Sequence, residues 1–431
     1  MKILLTGASG FIGARLRAAL LRRGHRLMLA GRREPVASDE TETWLDLDLA
    51  QPPPHDELAA ALHGVDAVVN AAGIIRESRR QRFEALHTTG PQALFSAAVA
   101  AGVRRIVQVS ALGADAGAST RFHRSKHAAD AFLLGLPVAG VVAQPSLVFG
   151  PGGASARLFL QLASWPVLPL PAGGGQTIQP IHVDDVVDAL VALVERHQPV
   201  GTVALVGPRA VSLRDYLQVL RAGLNLAPAP VLAVPAALVR IGARLGDLFA
   251  ASPLDSERWQ MLERGNAAPP APVTVLLGHR PRSVEAFVPP RSAEALRTEA
   301  QVGSLLPLLR LSVALVWIVT GIVSLGIYPV EQSYELLART GVPAGLRPLA
   351  LYGAALLDIG LGVATLALRS RRWLWLAQMA LIAAYTVIIS VRLPEFWLHP
   401  YGPLLKNLPM LALLLLLFVL DSPRKGKPGG V

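Results

Sequence analysis

Four long apolar runs in the last third of the chain constrain its fold more than any other feature. The runs are Leu311 to Ile327, Leu349 to Leu368, Trp373 to Val391 and Leu404 to Leu420. A helix that crosses a bilayer needs about 20 largely apolar residues. Lys406, Asn407 and Pro409 interrupt the start of the fourth run, which makes it the weakest of the set. With a mean hydropathy of +0.43, the runs predict four transmembrane helices within residues 305–422.

The charges beside these runs predict how the chain crosses the membrane. Short cytoplasmic loops are rich in Lys and Arg. The loop between the second and third runs reads Arg369-Ser370-Arg371-Arg372, and the tail 423–431 carries Arg424, Lys425 and Lys427. We therefore expect the tail and residues 1–304 to be cytoplasmic. The opening apolar run, Ile3 to Leu5, is too short for a signal peptide.

Composition excludes several kinds of site. The chain has no cysteine, which excludes disulfides, iron–sulfur clusters, thiolate metal sites and a cysteine nucleophile. His399 is the only histidine after residue 300, so one chain has no pair of membrane histidines for a haem. The net charge of +11 is scattered rather than clustered, so we expect no nucleic-acid partner. We also expect no metal. The excess of Arg over Lys is typical of a GC-rich bacterial genome, and a bacterial inner membrane is the expected location.

The first two-thirds of the chain alternates short apolar runs with amphipathic stretches. Strands are predicted at Lys2–Thr6, Arg26–Ala30, Ala67–Asn70, Arg105–Ser110 and Ala139–Gln144, and helices at Ala14–Arg23 and Pro91–Ala101. Such alternation is typical of a parallel sheet with helices on both faces. The predicted fold is α/β, a Rossmann-like doubly wound parallel sheet, followed by an all-α four-helix transmembrane bundle. We place the first domain at 1–290, its substrate side mainly at 150–290, and a linker at 291–304.

A glycine-rich turn follows the first strand and opens the first helix. It reads Thr6-Gly7-Ala8-Ser9-Gly10-Phe11-Ile12-Gly13. Glycines three residues apart allow a tight turn and the close approach of a pyrophosphate, and the helix N-terminus supplies free N–H groups. Because the turn lies directly between a strand and a helix, it predicts a dinucleotide-binding site.

Residues 1–290 resemble the extended and atypical short-chain dehydrogenase/reductases, the group of NAD(P)-dependent epimerases and dehydratases. Besides the glycine-rich turn, the matching segments are Asp48-Leu49, Asn70-Ala71-Ala72-Gly73, Pro145-Ser146-Leu147-Val148-Phe149-Gly150 and Gln179-Pro180-Ile181-His182-Val183-Asp184-Asp185. The resemblance implies that Asp48 and Leu49 lie at the adenine, and that Pro145 begins the segment that closes over the nicotinamide. The other cofactor contacts that it implies are Thr6, Gly7, Ser9, Gly10, Phe11, Ile12, Gly13, Ala71, Ala72, Gly73 and Lys126.

The end of the second strand bears on the choice of cofactor. It reads Ala30-Gly31-Arg32-Arg33. NAD-binding members of the resembled group carry an acidic residue there for the ribose hydroxyl, and Gly31 occupies that place. A nearby Arg suits the 2′-phosphate of NADP instead. Arg32 is therefore the candidate for NADP selectivity, with NAD as the alternative cofactor and a solvated turn arginine as the alternative role.

The resemblance also implies a catalytic Tyr followed four residues later by a Lys. The segment at that place is Thr120-Arg121-Phe122-His123-Arg124-Ser125-Lys126. Lys126 matches, but Phe122 replaces the tyrosine and has no proton to give. Three interpretations remain open. The domain binds a dinucleotide without turnover, or His123 serves as the acid, or the proton comes from the substrate side.

Two more positions near this segment are informative. Ser110, at the end of the fifth predicted strand, is a candidate catalytic residue through contact with the substrate. Gln144 stands where members of the resembled group often have Arg, which argues against a sugar-nucleotide epimerase.

Residues 305–422 resemble the DoxX-like four-helix membrane domains. The matching text includes Trp317-Ile318-Val319-Thr320-Gly321 and Leu356-Leu357-Asp358-Ile359-Gly360-Leu361-Gly362. Asp358 lies near the middle of the second apolar run, and carboxylates at that depth usually have a partner. Candidate partners are Arg310, Gln378, Tyr385 and Arg392. A quinone, lipid or proton site and a structural contact between helices remain alternatives.

The segment Pro235–Phe249 interleaves Leu238, Ile241, Leu245 and Leu248 with arginines. A helix packed on the sheet is the favoured interpretation, and a helix on the membrane surface is the alternative.

A cofactor domain joined to a membrane domain predicts a membrane-anchored NAD(P)(H)-binding oxidoreductase. Its expected partners are a lipophilic substrate of the quinone or lipid class and membrane lipid, with a membrane-protein partner or a homo-oligomer also compatible. Phe122 motivates the alternative, a non-catalytic dinucleotide sensor or membrane-complex assembly factor.

Overall fold

The chain divides into two compact units. The computed structural model describes residues 1–421 apart from 35–40, 79–80, 197–200, 249–251, 253 and 369–370. Phe249, Arg369, Ser370 and the basic tail therefore lie outside the described residues. The first unit is Met1–Ala300, and the second begins at Gln301. The division falls inside a long helix, Ala293–Ile322, which occupies most of the segment expected to be a linker.

All the strands of the described residues belong to the first unit. They are β1 Lys2–Thr6, β2 Arg26–Gly31, β3 Glu42–Asp46, β4 Ala67–Asn70, β5 Arg105–Val109, β6 Ala139–Pro145, β7 Val148–Phe149, β8 Leu168–Pro171, β9 Thr177–Ile178, β10 Ile181–His182, β11 Gly201–Leu205, β12 Val211–Ser212 and β13 Val231–Val234.

Seven of these strands form one parallel sheet in the order β11-β6-β5-β4-β1-β2-β3. All four residues of β4 are buried, as expected for a parallel sheet that helices cover on both faces. The strand order reverses between β1 and β4, which is the place where open parallel sheets bind ligands. The predicted doubly wound sheet is therefore confirmed.

The helices of the first unit are α1 Gly13–Arg22, α2 His55–Ala61, α3 Gly90–Ala100, α4 Arg121–Leu134, α5 Ala154–Ala163, α6 Val183–Glu195, α7 Leu213–Gly223, α8 Ala236–Gly246, α9 Ser256–Arg264 and α10 Ala271–Leu277. A one-turn π-helix, Glu84–Thr89, leads into α3. The later helices are α11 Ala293–Ile322, α12 Val330–Arg339, α13 Arg347–Ala367, α14 Arg372–Arg392 and α15 Asn407–Leu420.

Three large apolar cores stabilise the first unit. One lies between the sheet and α1, α6 and α10, and includes Leu16 and Leu190. Another lies on the opposite face, under α2, α3 and α4, and includes Phe95. A third core, around Tyr216 and Phe287, joins α5 and α7 beyond the carboxyl edge of the sheet. The sheet thus supports one side of the predicted dinucleotide site, and the third core supports the other.

The second unit is helical, and most of its helices are apolar. Three segments of the described residues are long and apolar enough to cross a membrane: Pro290–Ile327, Ala344–Ala367 and Arg372–Arg392. The fourth predicted run forms α15, which has 14 residues, fewer than the roughly 20 of a typical span. A Cβ added at Gly321 would lie 2.6 Å from the Ala355 carbonyl oxygen, so α11 and α13 pack with their backbones in contact.

Candidate active site

The glycine-rich turn is folded tightly against the end of β4. Gly7 has a φ of +68°, and a Cβ on it would lie 2.6 Å from the backbone of Ala71. A Cβ on Gly13 would lie 2.1 Å from the Gly7 carbonyl oxygen. Both positions therefore require glycine. Gly10, by contrast, is exposed, and its N–H donates to the Gly7 carbonyl at 2.9 Å.

The N-terminus of α1 is open. No side chain caps it, and although the Ala14 N–H already donates to the Gly10 carbonyl at 2.9 Å, the positive end of the helix still favours an anion. Ser9 is exposed beside it, and Ile12 and Phe11 are partly buried. This is the local geometry that a pyrophosphate needs, and the structure thus fits a dinucleotide at the predicted turn.

Phe11 connects the turn to the other side of the site. The Arg15 guanidinium lies 4.7 Å from the centre of the Phe11 ring and donates to the Phe11 carbonyl at 2.9 Å and to the Pro151 carbonyl. A Cβ on Gly153 would lie 2.9 Å from the Phe11 ring. The segment after β7 therefore packs on the glycine-rich turn. Pro145 lies before β7, buried at the end of β6.

The carboxyl ends of β2 and β3 hold the residues expected at the adenosine end. Arg32 is exposed just after β2. A Cβ on Gly31 would lie 3.1 Å from the Trp44 indole, so the indole occupies the space beside the position that is acidic in NAD-binding members of the resembled group. Asp48 accepts the Ala50 N–H at 2.9 Å, and Leu49 is buried beneath it.

A row of buried polar side chains joins three strand ends. The Thr6 hydroxyl donates to the Asn70 side-chain oxygen at 2.5 Å, and the Asn70 amide donates to Gln108 at 2.7 Å. Asn70 also accepts the Ala72 N–H at 3.3 Å. These bonds hold the 71–73 backbone at the point where the sheet order reverses.

Lys126 reaches this point from α4. Its ammonium group donates to the Val109 carbonyl at 3.1 Å and to the Ala72 carbonyl at 3.4 Å. A Cβ on Gly73, which is exposed, would lie 3.1 Å from the Lys126 Nζ. Burial lowers the pKa of Lys126 to about 8, and the carboxyl group of Asp130 opposes the shift. A cation that loses its proton close to neutral pH thus lies beside an open backbone position.

Phe122 lies one helical turn before Lys126, at the start of α4. Its ring meets His87 edge-on at a centroid distance of 5.5 Å and Phe83 at 5.8 Å. Phe83 and His87 are themselves stacked at 5.2 Å. An aromatic cluster therefore occupies the position that the resemblance assigns to a tyrosine.

His87 is a site residue that the sequence analysis missed. It is fully buried, and its Nε2 accepts the Ile74 N–H at 3.0 Å. The proton must therefore lie on Nδ1, which is 3.0 Å from the Ser125 hydroxyl. Burial, and then the charge of Lys126, lower the pKa of His87 well below its usual range. His87 is thus a neutral positioning group that ties α4 to the turn after β4.

His123 faces a different part of the site. A Cβ on Gly113 would lie 3.2 Å from the His123 ring, so the imidazole lies against the loop after β5. Burial and the nearby Arg264 lower its pKa to about 4, and Asp115 opposes the shift. The imidazole is therefore neutral at physiological pH.

Ser110 is oriented towards α4. It is buried, and its hydroxyl donates to the Asp130 carboxyl group. Burial raises the pKa of Asp130 to about 6, and the bond from Ser110 opposes this shift. Gln144 donates to the Ala114 carbonyl at 2.9 Å. The structure thus brings Ser110, Asp130 and Lys126 together at one end of β5, whereas His123 and Gln144 hold the loop beside it.

Helix α9 bonds to the loop after β5 and to the start of α4. Its Arg264 donates to the Gly113 carbonyl at 2.8 Å and pairs with Asp115 at 2.7 Å. Its Glu257 accepts the Arg121 N–H at 2.9 Å. The described residues contain no cluster of three or more His, Asp or Glu side chains that could hold a metal ion.

Asp358, in the second unit, has a buried carboxyl oxygen without a hydrogen-bond partner among the described residues. This oxygen is Oδ1, and the residue is buried on α13. Three of its expected partners make contacts elsewhere: Arg310 pairs with Asp421, Gln378 bonds to Trp317 and Thr365, and Arg392 lies near Gly341. The fourth, Tyr385, is within electrostatic range of Asp358.

Two family models match the chain. Residues 3–207 match the NAD dependent epimerase/dehydratase family, and residues 314–415 match the DoxX-like family.

Known proteins resemble parts of the chain. It is 32% identical over 198 residues to a ceramide reductase of Caulobacter vibrioides, a match covering 44% of this chain and 60% of that protein. It is 30% identical over 201 residues to NADH dehydrogenase [ubiquinone] 1 alpha subcomplex subunit 9 of Arabidopsis thaliana, covering 43% and 48% respectively. The chain thus spans about half to three-fifths of the length of these relatives.

Solved structures support the fold of the first unit. A nucleoside-diphosphate-sugar epimerase from Staphylococcus aureus superposes with a TM-score of 0.55 at 17% identity, covering 67% of this chain and 99% of its own. A dTDP-glucose 4,6-dehydratase from Streptomyces venezuelae with NAD bound gives 0.52 at 20% identity, covering 69% and 97%. The chain therefore carries a nicotinamide-dinucleotide-binding domain of the NAD-dependent epimerase/dehydratase family, short-chain dehydrogenase/reductase-like, followed by a DoxX-like membrane domain.

Proposed function

We propose that this protein is a membrane-anchored, NADP(H)-dependent reductase of a lipophilic quinone or carbonyl lipid. The observation that carries the proposal is Lys126, a buried ammonium group beside the exposed Gly73, at the open end of the glycine-rich turn. The open N-terminus of α1 would hold the pyrophosphate, and the backbone of 71–73 and Lys126 would hold the nicotinamide ribose. When bound, the reduced nicotinamide supplies a hydride.

The proton for this reduction comes from Lys126 in our proposal. Phe122 has no ionisable proton, and His123 is neutral at physiological pH and lies against the loop after β5. The pKa of Lys126, about 8, suits a general acid near neutral pH. The Lys126 Nζ would donate to the substrate oxygen and regain a proton from solvent, while the Val109 and Ala72 carbonyl groups position it and the charge of Asp130 favours its protonated form.

A lipophilic substrate follows from the second unit. Its three long apolar helices place the protein in a membrane, where soluble sugar nucleotides are not concentrated. The relative named ceramide reductase supports a lipid, and the relative named as an NADH dehydrogenase [ubiquinone] subunit supports a quinone.

We propose NADP(H) as the cofactor because of two features at the end of β2. Arg32 is exposed just after β2, where we expect the 2′-phosphate, and the Trp44 indole fills the space beside Gly31. The argument for NAD is Asp46, an exposed carboxylate paired with Gly31 in the sheet.

The experiment is a pre-steady-state assay on the purified full chain in lipid nanodiscs. NADPH would be mixed with a short-tailed quinone or a long-chain ketone, and the loss of NADPH absorbance followed. We expect oxidation that depends on the acceptor and is lost in Lys126→Met, with NADPH binding measured separately in both proteins. Oxidation at the wild-type rate in Lys126→Met would overturn the assignment of the proton donor.

The second candidate function is a dinucleotide sensor or membrane-complex assembly factor. It is supported by Phe122, which lies in an aromatic cluster and which the resemblance aligns with the catalytic tyrosine. The same nanodisc experiment separates the two functions. Tight NADPH binding without oxidation by any lipid or quinone acceptor would favour the sensor.

We propose that the protein lies in a bacterial inner membrane with four spans, α15 forming the short fourth one, and with both ends in the cytoplasm. Reporter fusions after Lys427 and beside Arg371 should then report the cytoplasm, and one within α12 the outside. A cytoplasmic signal from α12 would exclude this topology.

A further inference from the structure

Helix α8 buries only a narrow face of small side chains. Val239, Ala243 and Gly246 are buried, and they pack in a cluster centred on Trp259 of α9. The helix thus rests on α9 and its neighbours, and not on the central sheet as the favoured sequence interpretation expected. The remaining surface of the helix is open.

The opposite face of α8 carries large aliphatic side chains in solvent. Leu238 is 59% exposed, Ile241 54%, Leu245 56% and Leu248, just beyond the helix, 75%. At about 100° per residue, these four positions form one stripe on the side away from Trp259. A contiguous apolar stripe of this kind on a folded surface marks an interaction site.

The charges beside the stripe are positive. Arg240 and Arg244 are exposed and lie between the buried face and the apolar stripe. The helix sequence, AALVRIGARLG, contains no acidic residue. The next residue, Asp247, is acidic, and its carboxyl group accepts hydrogen bonds from Ser256 at the start of α9. An apolar face flanked by arginines is typical of a helix that lies in the headgroup region of a membrane, where the arginines reach anionic lipid.

The end of α8 is tied to the active site. Arg76, in the turn after β4, donates to the carbonyl groups of Gly246 at 3.4 Å and of Ser252 at 3.5 Å. Ile75, beside it, is 61% exposed. Helix α8 packs on α9, and α9 bonds to the loop after β5 and to Arg121 at the start of α4. The stripe lies on the side of α8 away from α9.

We infer that the apolar stripe of α8 docks on the surface of an anionic lipid bilayer. The bilayer is the chosen occupant for two reasons. The chain carries helices long and apolar enough to cross a membrane, so a bilayer lies close to the first unit. The flanking arginines complement acidic headgroups. The stripe inserts about 5–10 Å into the boundary between headgroups and acyl chains. This docking does not depend on which substrate the enzyme reduces, or on turnover.

The chain has no cysteine, so a single introduced cysteine can be labelled uniquely. Ile241→Cys, carrying a nitroxide, would be studied in the full chain reconstituted in nanodiscs of phosphatidylcholine with and without phosphatidylglycerol. The control is Leu134→Cys, because Leu134 is a 45% exposed leucine at the other end of α4. The readout is the relaxation of the nitroxide by two agents. Oxygen concentrates in lipid, whereas a water-soluble nickel complex does not enter it.

We expect the ratio of oxygen to nickel relaxation at position 241 to be several-fold higher than at 134 in the anionic nanodiscs. Adding Leu238→Ser and Leu245→Ser to the labelled protein should lower that ratio to the value at 134, with NADPH affinity unchanged. Equal ratios at 241 and 134 would overturn the inference. Protection of position 241 from both agents, in nanodiscs and in detergent alike, would also overturn it, because it would show a protein occupant such as the membrane unit or a second copy.

Discussion

His87 and Phe122 are joined twice in the structure. Their rings meet edge-on at 5.5 Å, and the Ser125 hydroxyl links them, since it is 3.0 Å from His87 Nδ1 and donates to the Phe122 carbonyl at 2.8 Å. Phe122, at the position that the resemblance assigns to a tyrosine, is therefore held by a histidine that also fixes the Ile74 backbone.

His87→Phe should keep the aromatic contacts but leave the Ile74 N–H without its acceptor. An unsatisfied buried donor costs about 1–3 kcal/mol, so we expect a lower melting temperature by tryptophan fluorescence and weaker NADPH binding. His63→Phe is the matched control, because His63 is exposed at the end of α2 and should change neither property. An unaltered NADPH affinity in His87→Phe would show that the 72–74 turn does not need this bond.

Gly10→Val and Gly13→Val should fail in different ways. A Cβ on Gly10 would lie 3.1 Å from the Gly7 carbonyl oxygen, whereas a Cβ on Gly13 would lie only 2.1 Å from the same oxygen. We expect Gly10→Val to fold with a near-normal melting temperature and to lose NADPH affinity, because the side chain blocks the pyrophosphate. Gly13→Val should be destabilised before any ligand is added. Normal NADPH affinity in folded Gly10→Val would exclude the dinucleotide site at this turn.

Arg32→Ala should weaken NADPH binding and leave NADH binding almost unchanged. Hydrogen bonds to charged groups contribute about 1.5–3 kcal/mol, which corresponds to a loss of about ten-fold or more in affinity. Arg33→Ala is the control, since Arg33 is the next exposed arginine along the chain. Isothermal titration with both cofactors measures the difference. Tighter binding of NADH than NADPH by the wild type would refute the NADP assignment.

Lys126 should make both stability and turnover depend on pH. The pKa of Lys126 is 10.5 in the unfolded chain, whereas burial lowers it to about 8 in the folded protein. Between these values the unfolded chain binds more protons, so the stability of the wild type rises with pH relative to that of Lys126→Met. The full change corresponds to about 3 kcal/mol. Melting curves of both proteins from pH 7 to pH 10 measure it, and parallel curves would contradict the buried lysine.

In our proposal the protonated Lys126 is the acid, so single-turnover oxidation of NADPH should slow as pH rises through about 8. Phe122→Tyr tests the same point from the other side. The new hydroxyl lies one turn from Lys126 and should raise the rate above pH 8, where the lysine is neutral. For a sensor, it should instead create weak reductase activity. A rate in Phe122→Tyr identical to wild type across this pH range would place position 122 away from the reacting atoms.

The parts of the fold that depend on local sequence were predictable. Five strands end within one residue of their predicted limits, because a buried parallel strand is a short continuous apolar run between turns. Strand β3, Glu42–Asp46, was not predicted, since its sequence ETWLD lacks such a run. Strand β3 forms only because it pairs with β2, which comes earlier in the chain.

Only those parts of the site that lie within one short segment of the sequence were predictable. The glycine-rich turn and the Phe122–Lys126 spacing can be read along the chain. His87 lies on a π-helical turn 38 residues before Ser125, and no local pattern links the two. Ser110 was expected near the substrate, but it bonds to Asp130, 20 residues later. Contacts of this kind follow from the packing of α4 on the sheet edge.

The contact between Trp44 and Gly31 also shapes how this family member can evolve. A lineage that moved towards NAD would gain from an acidic side chain at position 31, yet the first Cβ there would lie 3.1 Å from the indole. The substitution is therefore disfavoured until position 44 becomes smaller, and a smaller residue at 44 alone leaves a gap in the core beside Leu29. If positions 31 and 44 must change together, the NADP(H) preference that we propose would be protected by epistasis between two adjacent strands.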